Sequence, residues 1–187
     1  MTEVVVAVGL LAIAAPLAKL GFDWLNSIAR QRVMLTAQWQ GQVALYDITR
    51  SVRNAEAIVS ISSSTLVLRV LQPGQMGTFD AAALFDDVNG ATMTFSWVTG
   101  GGGNYLSKTL QTPTKTTETK LLRNMIQNPV GNSYLFHPYP PNDTSGGPYD
   151  AVEIVLRLWP AFMKTGQDQP IEYRSISMRR ARAQDNT

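Results

Sequence analysis

The chain contains no cysteine and one histidine, His137. The absence of cysteine excludes disulfides, thiolate zinc sites and cysteine nucleophiles, and a single histidine excludes multi-histidine metal sites. Charged residues make up only 16% of the 187 residues and the formal net charge is +2, which argues against nucleic acid as a partner. Because these absences remove most familiar enzyme chemistry, we expect no enzymatic activity and no cofactor. An apolar content of 44% suits a packed core.

An uninterrupted apolar run lies near the N-terminus. It extends from Val4 to Ala18, and Lys19 ends it. A membrane-spanning helix needs roughly 20 apolar residues, although the long side chain of Lys19 could reach the interface and extend the span to Phe22 and Trp24. The acidic Glu3 before the run argues against a signal peptide. A buried core helix and a membrane anchor both remain open.

The helical pattern continues well beyond the apolar run. No proline occurs between Leu17 and Gln72, and the apolar residues follow a period near 3.6. We predict one helix from about Thr2 to about Ala57, weakened or kinked at Pro16 and Gly21. Seven residues are predicted to pack along this helix: Trp24, Ile28, Leu35, Trp39, Leu45, Ile48 and Val52.

After the helix the periodicity falls to two residues, which indicates strands. Strands are predicted at 57–61, 65–71, 91–98, 105–110, 117–126, 132–136, 151–159 and 171–180. The segment 79–88 is ambiguous, the four glycines at 100–103 and the segment 138–148 are predicted loops, and 182–187 is a predicted tail. The fold class is therefore α+β, with a long N-terminal helix packed on a C-terminal antiparallel sheet. The predicted divisions are the apolar, transmembrane or filament-core half of the helix at 1–24, its amphipathic half at 25–57, a globular domain of antiparallel sheet at 58–181, and a tail at 182–187.

Three stretches of the sequence resemble one known family. They are Thr2–Leu11, which starts with a glutamate and continues apolar, Tyr46–Ala55 with the hairpin after it, and the basic closing strand Glu172–Arg180. Together they resemble type IV pilins and pseudopilins, and the larger minor pilins and J-type minor pseudopilins of type II secretion in particular. The resemblance is good as far as the end of that hairpin and holds beyond it only in layout. The family has its glutamate at the fifth mature position, whereas this chain has Glu3.

The resemblance implies a structural subunit of a type IV pilus-like or type II secretion pseudopilus filament, assembled through the N-terminal helix. Its partners would be copies of itself or other pilin-like subunits, an inner-membrane assembly platform, and membrane lipid before assembly. It implies a single-pass inner-membrane location first and a periplasmic or extracellular filament later. Glu3, Met1 and Pro16 are the implied assembly residues, with the Glu3 carboxylate neutralising the N-terminal amine of a neighbour. Whether the subunit is major or minor remains open.

Other interpretations of the sequence stand beside this one. A non-polymerising, membrane-anchored periplasmic or extracellular binding domain is the main alternative. Asp143, Asp150 and Glu153 could supply oxygen ligands for calcium, but their spacing fits no calcium loop, and no metal site is predicted. A cluster of arginines near the C-terminus is interpreted as a solvated strand edge: Arg174, Arg179, Arg180 and Arg182.

Overall fold

The computed structural model describes residues 2–70, 91–99, 104–123, 134–140, 149–158, 160 and 170–179, with only the backbone at 2–11 and 13. Helix α1 covers Thr2–Asn54 and includes Pro16. It ends three residues before the predicted boundary because Ala57 already pairs with Arg69 in a hairpin. The long helix and the antiparallel strands after it confirm the α+β class.

The expected single-pass inner-membrane anchor was wrong. Across the described residues, no helix carries a stretch both long enough and apolar enough to cross a membrane. The physical reason lies in the sequence of α1. Its run from Val4 to Ala18 would extend only about 22 Å, against a hydrocarbon core of about 30 Å. Lys19 and Asp23 then follow within the next two turns.

A five-stranded antiparallel sheet follows the helix, in the order β1-β2-β3-β4-β5. Ser62 closes the first hairpin, because its amide donates to the Thr65 carbonyl at 2.7 Å and its Oγ accepts from the Thr65 amide at 3.0 Å. Serine favours such turns through these side-chain bonds. The strands are β1 Ala57–Ile61, β2 Thr65–Val70, β3 Ala91–Val98, β4 Tyr105–Gln111 and β5 Thr116–Arg123.

A separate three-stranded antiparallel sheet contains β6 Phe136–Pro138, β7 Ala151–Leu158 and β8 Ile171–Met178, with β7 in the middle. The sequence suggests one sheet and places a strand at 132–136, whereas β6 begins at the end of that segment. The two sheets meet where the amide of Leu135 donates to the carbonyl of Ser63 at 2.8 Å. The run of apolar residues in β7 reflects burial on both faces of the strand.

The chain forms two compact units, Met1–Ala37 and Gln38–Thr187. The described part of the first unit is helix alone. The second contains the rest of α1 and both sheets, and its core joins the helix to strands of each sheet. Large core side chains with no more than 2% exposure include Ile48, Val52, Leu66, Leu68, Phe95, Leu106, Leu122, Phe136, Ile154, Leu156 and Leu158.

Four predictions fall on parts of the chain outside the described residues. They are the ambiguous segment 79–88, the glycine loop 100–103, most of the predicted loop 138–148, and the tail 182–187. The strand predicted at 117–126 is described only as far as Arg123, where β5 ends. The described strands otherwise begin and end within a few residues of their predicted bounds.

Candidate assembly surface

One side of α1 in the second unit is fixed against the sheets. Ala44, Ile48 and Val52 recur every four residues and are all buried. Gly41 lies on the same side, at a close approach to the three-stranded sheet. A Cβ placed on Gly41 would lie 2.5 Å from Leu158 Cδ1, which is closer than real carbon contacts. The helix backbone therefore packs directly on β7 and β8.

Polar contacts also hold this part of the helix. Lys108 of β4 donates from Nζ to both carboxylate oxygens of Asp47 at 2.9 Å. Tyr173 of β8 donates from its hydroxyl to the Gln38 carbonyl at 3.2 Å, and burial raises the pKa of this tyrosine. These bonds join the helix to both sheets. The helix side facing the sheets is thus unavailable to any other partner.

The opposite side of the helix in the second unit faces solvent. Trp39, Val43 and Tyr46 have large apolar surfaces and are all exposed. Tyr46 precedes the buried Ile48 by two residues, and about 100° of rotation per residue places them on opposite sides. Isolated exposed apolar side chains need no explanation, but two aromatic groups seven residues apart on one helix face do.

The described part of the first unit shows the same exposure without any covering sheet. Leu17, Trp24 and Leu35 are each more than half exposed, and Ile28 is intermediate. Leu20 and Leu25 add further exposed apolar surface. A helix with so much apolar surface in water is marginal by itself, because helices in proteins gain most of their stability from packing. This surface is therefore an expected contact site.

The structure separates the seven predicted helix-packing residues into two groups. Leu45, Ile48 and Val52 pack in the core of the second unit. Trp24, Leu35 and Trp39 are exposed, and Ile28 is only partly covered. Periodicity identifies apolar helix positions, but it does not indicate which of them the chain itself covers. The exposed members in each unit constitute the candidate assembly surface of that unit.

The structure describes the three residues implied by the family resemblance to different extents. Glu3 lies in α1, but its side chain is outside the described residues, as is the whole of Met1. Pro16 is exposed and lies within the helix, which continues on both sides of it. Its ring removes one backbone donor from the helical hydrogen bonds. The implied pairing of Glu3 with a neighbouring N-terminal amine stays a prediction.

A buried carboxylate, which the sequence offers as a calcium ligand, lies on β7. Glu153 is 5% exposed, accepts a hydrogen bond from the Tyr134 hydroxyl at 2.6 Å, and pairs with the Arg174 guanidinium. Burial raises the pKa of Glu153, but the bonds from Arg174 and Tyr134 outweigh it, so the pKa lies below its ordinary value. The bond to Glu153, with burial, raises the pKa of Tyr134.

The low pKa of Glu153 links stability to pH. Its contribution is present above the unfolded-state pKa and is lost as the pH falls through the folded-state pKa. At pH 7 we expect Glu153→Gln to lower the free energy of unfolding by about 1–2 kcal/mol. The difference from the unsubstituted chain should shrink as the pH falls below the ordinary glutamate pKa of 4.5 and through the lower pKa of the folded chain. Urea unfolding at a series of pH values measures it.

The control for this pH series is Glu118→Gln on β5, which removes an exposed carboxylate. Its effect should stay within about 0.5 kcal/mol at every pH. A pH-independent loss for Glu153→Gln would show that the ionisation of Glu153 adds nothing and that the loss comes from placing an amide donor against the Tyr134 and Arg174 donors.

The other candidate polar residues are used within the fold. Asp150 pairs with Arg179, whose guanidinium also donates to the Glu56 carbonyl at 2.6 Å. His137 lies beside Tyr134, with ring centroids 4.7 Å apart. Within the described ranges no group of histidine, aspartate or glutamate side chains could hold a metal ion. Asp143, Arg180 and Arg182 lie outside those ranges.

Comparisons with known proteins identify no relative of the chain. No family model matches the chain, and neither curated proteins nor solved structures give a significant match. Function is therefore inferred from the surfaces of the molecule and from the resemblance of its residues to pilins and pseudopilins.

Proposed function

We propose that the chain is a structural subunit of a pilin-like filament, of the type IV pilus or type II secretion pseudopilus kind, assembled through α1. One observation carries the proposal. The helix carries exposed apolar surface in both units, with Trp24 and Leu35 in the first and Trp39 in the second. An exposed apolar patch of this kind marks an interaction site in a stable protein.

The partner that fits this surface is another copy of the same helix. In the second unit the exposed apolar residues Trp39, Val43 and Tyr46 form a narrow strip along the helix, so an apolar side of another helix covers it better than a globular partner does. The rest of the described structure supports a structural role: its buried carboxylate and its half-buried lysine are occupied in ion pairs. The resemblance of Thr2–Leu11 and Tyr46–Ala55 to pilins points the same way.

The test is polymerisation of the purified chain, followed by light scattering and negative-stain electron microscopy. We expect filaments from the unsubstituted chain and their loss in Leu35→Asp. A charge at the centre of the surface would have to be buried without a partner when copies associate. The critical concentration for assembly should therefore rise by at least about a hundredfold, equivalent to about 3 kcal/mol.

The matched control is Val59→Asp, which places the same charge on an exposed apolar residue of β1. This variant should assemble like the unsubstituted chain. A chain that stays monomeric at every concentration would favour a non-polymerising binding domain. Equal assembly of Leu35→Asp and Val59→Asp would show that filaments form through another surface.

A further inference from the structure

The five-stranded sheet has an open edge at β5. Every residue from Thr116 to Lys120 is exposed, and among the described residues β5 pairs with no strand except β4. The strand contains no proline, and its threonines favour an extended backbone. Such an edge presents unpaired backbone amides and carbonyls to any strand that can align with it.

The turn between β4 and β5 indicates which backbone groups of β5 point outward. The amide of Thr112 donates to the carbonyl of Lys115 at 2.8 Å, so these two residues form a hydrogen-bonded pair. Hydrogen-bonded and non-hydrogen-bonded pairs alternate along an antiparallel ladder, and the register is regular as far as Lys120. The amides and carbonyls of Thr116, Glu118 and Lys120 therefore point away from β4, towards the open edge.

The charged side chains of β5 do not cover its edge. A lysine on an edge strand commonly prevents pairing with another strand. Here Lys120 Nζ lies 4.1 Å from the centroid of the Tyr105 ring, and the Tyr105 hydroxyl donates to Glu118 Oε1 at 3.5 Å. Both side chains thus lie beside Tyr105 of β4 on one face of the sheet, and the exposed backbone edge remains accessible.

We propose that two copies of the chain join through this edge, β5 against β5 and antiparallel, with Glu118 of each copy opposite Lys120 of the other. In this alignment the two residues exchange both backbone hydrogen bonds, and opposite charges lie directly across from each other. The neighbouring alignments, which place Glu118 opposite Glu118 or Lys120 opposite Lys120, bring like charges together. Charge complementarity therefore favours the proposed alignment, and the partner that supplies it is a second copy.

The contact is short and is closed by a two-fold axis at Thr119. Leu121 is an additional residue between the positions opposite Leu106 and Ser107, and such a bulge bends the strand and interrupts regular pairing. We therefore expect a weak, concentration-dependent dimer. Because a two-fold contact closes on two copies, this dimer is separate from filament assembly through α1 and goes beyond the proposed function.

An introduced cysteine tests the alignment, because the chain has no cysteine of its own. In the proposed dimer Thr119 lies opposite Thr119 of the other copy, in a non-hydrogen-bonded pair whose Cα atoms are about 4.5 Å apart. This separation permits a disulfide. The full chain with Thr119→Cys should therefore form a linked dimer in a glutathione redox buffer, measured by non-reducing electrophoresis and mass spectrometry of the linked peptides.

The matched control is Thr117→Cys, at another exposed threonine on the same side of β5. In the proposed alignment its Cα atoms in the two copies are about 14 Å apart, too far for a disulfide. We expect at least about tenfold more linked dimer from Thr119→Cys than from Thr117→Cys. Equal yields from the two variants, or no linked dimer from Thr119→Cys, would overturn the pairing.

Charge reversal tests whether the two ion pairs select the partner. In the Thr119→Cys chain, Glu118→Lys or Lys120→Glu leaves charges of one sign on the edge and should lower the yield of linked dimer at least about tenfold. Mixing these two variants should restore the yield through mixed dimers, which also shows that both fold. Yields that do not depend on these charges overturn the alignment.

The proposed dimer and the proposed filament fail separately. Filaments of the Thr119→Cys chain without a link at this position overturn the dimer and leave the filament function standing. Linked dimers from a chain that forms no filament overturn the filament function and support the dimer.

Discussion

Replacing Ile48 by alanine is expected to lower the free energy of unfolding of the second unit by about 2–5 kcal/mol. Ile48 is fully buried in the cluster that joins α1 to both sheets. The substitution removes three carbons and leaves a cavity that strands on either side cannot easily fill. A domain's whole stability is only about 5–15 kcal/mol, so urea unfolding followed by near-ultraviolet circular dichroism will show the loss.

The matched control is Tyr46→Ala, two residues earlier on the opposite, exposed side of the helix. At concentrations where the chain is monomeric, this larger truncation should change the free energy of unfolding by no more than about 0.5 kcal/mol. Comparable losses for the two variants would mean that Tyr46 is covered in solution. A loss below about 1 kcal/mol for Ile48→Ala would contradict its place in the core.

Together these variants separate two uses of one helix. Ile48 stabilises the chain itself, whereas Tyr46 and Trp39, on the exposed side of the helix in the second unit, are available to a partner. Stability and assembly should therefore respond to different substitutions on neighbouring residues. Loss of assembly in a variant of the exposed side, with unchanged unfolding, identifies an interface rather than a folding defect.

The fold class and most elements are predictable from the sequence because they depend on local patterns. Strict alternation in Ala91–Val98 and the apolar run Ala151–Leu158 predict two strands almost to the residue. The division into two sheets was missed, because β6 pairs with β7 and not with β5, and no local pattern encodes which strands pair. The anchor was wrong because the long side chain of Lys19 does not compensate for the shortness of the apolar run before it.

The sequence predicts which apolar residues lie on the helix, but it does not predict which of them form the exposed candidate surface. Trp24 and Ile48 both satisfy a helical period, and nothing local shows that one is exposed and the other buried. The hydrogen bond and ion pair that join Glu153 to Tyr134 and Arg174 were also not predicted. These residues come from three separate segments, and a lone carboxylate in an apolar strand is the only sequence signal of their contacts. A glutamate between apolar neighbours in a buried strand does predict a partnered charge.

Gly41→Val should be the second strongly destabilising change, lowering the free energy of unfolding by about 2–3 kcal/mol. Valine would normally improve an α-helix slightly over glycine. Here its Cβ would meet Leu158 Cδ1 at 2.5 Å and Tyr173 Cε2 at 2.7 Å. Both side chains lie against the helix, and Leu158 is fully buried, so the helix must move away from β7 and β8. Urea unfolding of the full chain measures the effect.

Gly21→Val makes the same chemical change in the same helix, at a position where nothing lies within 4 Å of the new Cβ. It should leave the unfolding of the second unit unchanged to within about 0.5 kcal/mol. A difference between the two variants isolates the close approach at Gly41 from helix propensity, which both changes alter equally. Equal effects would mean that the side chains around Gly41 can accommodate a valine, which would contradict the close approach of Leu158 and Tyr173. Because the Tyr173 hydroxyl also bonds to the Gln38 carbonyl, displacement at Gly41 should weaken that bond as well.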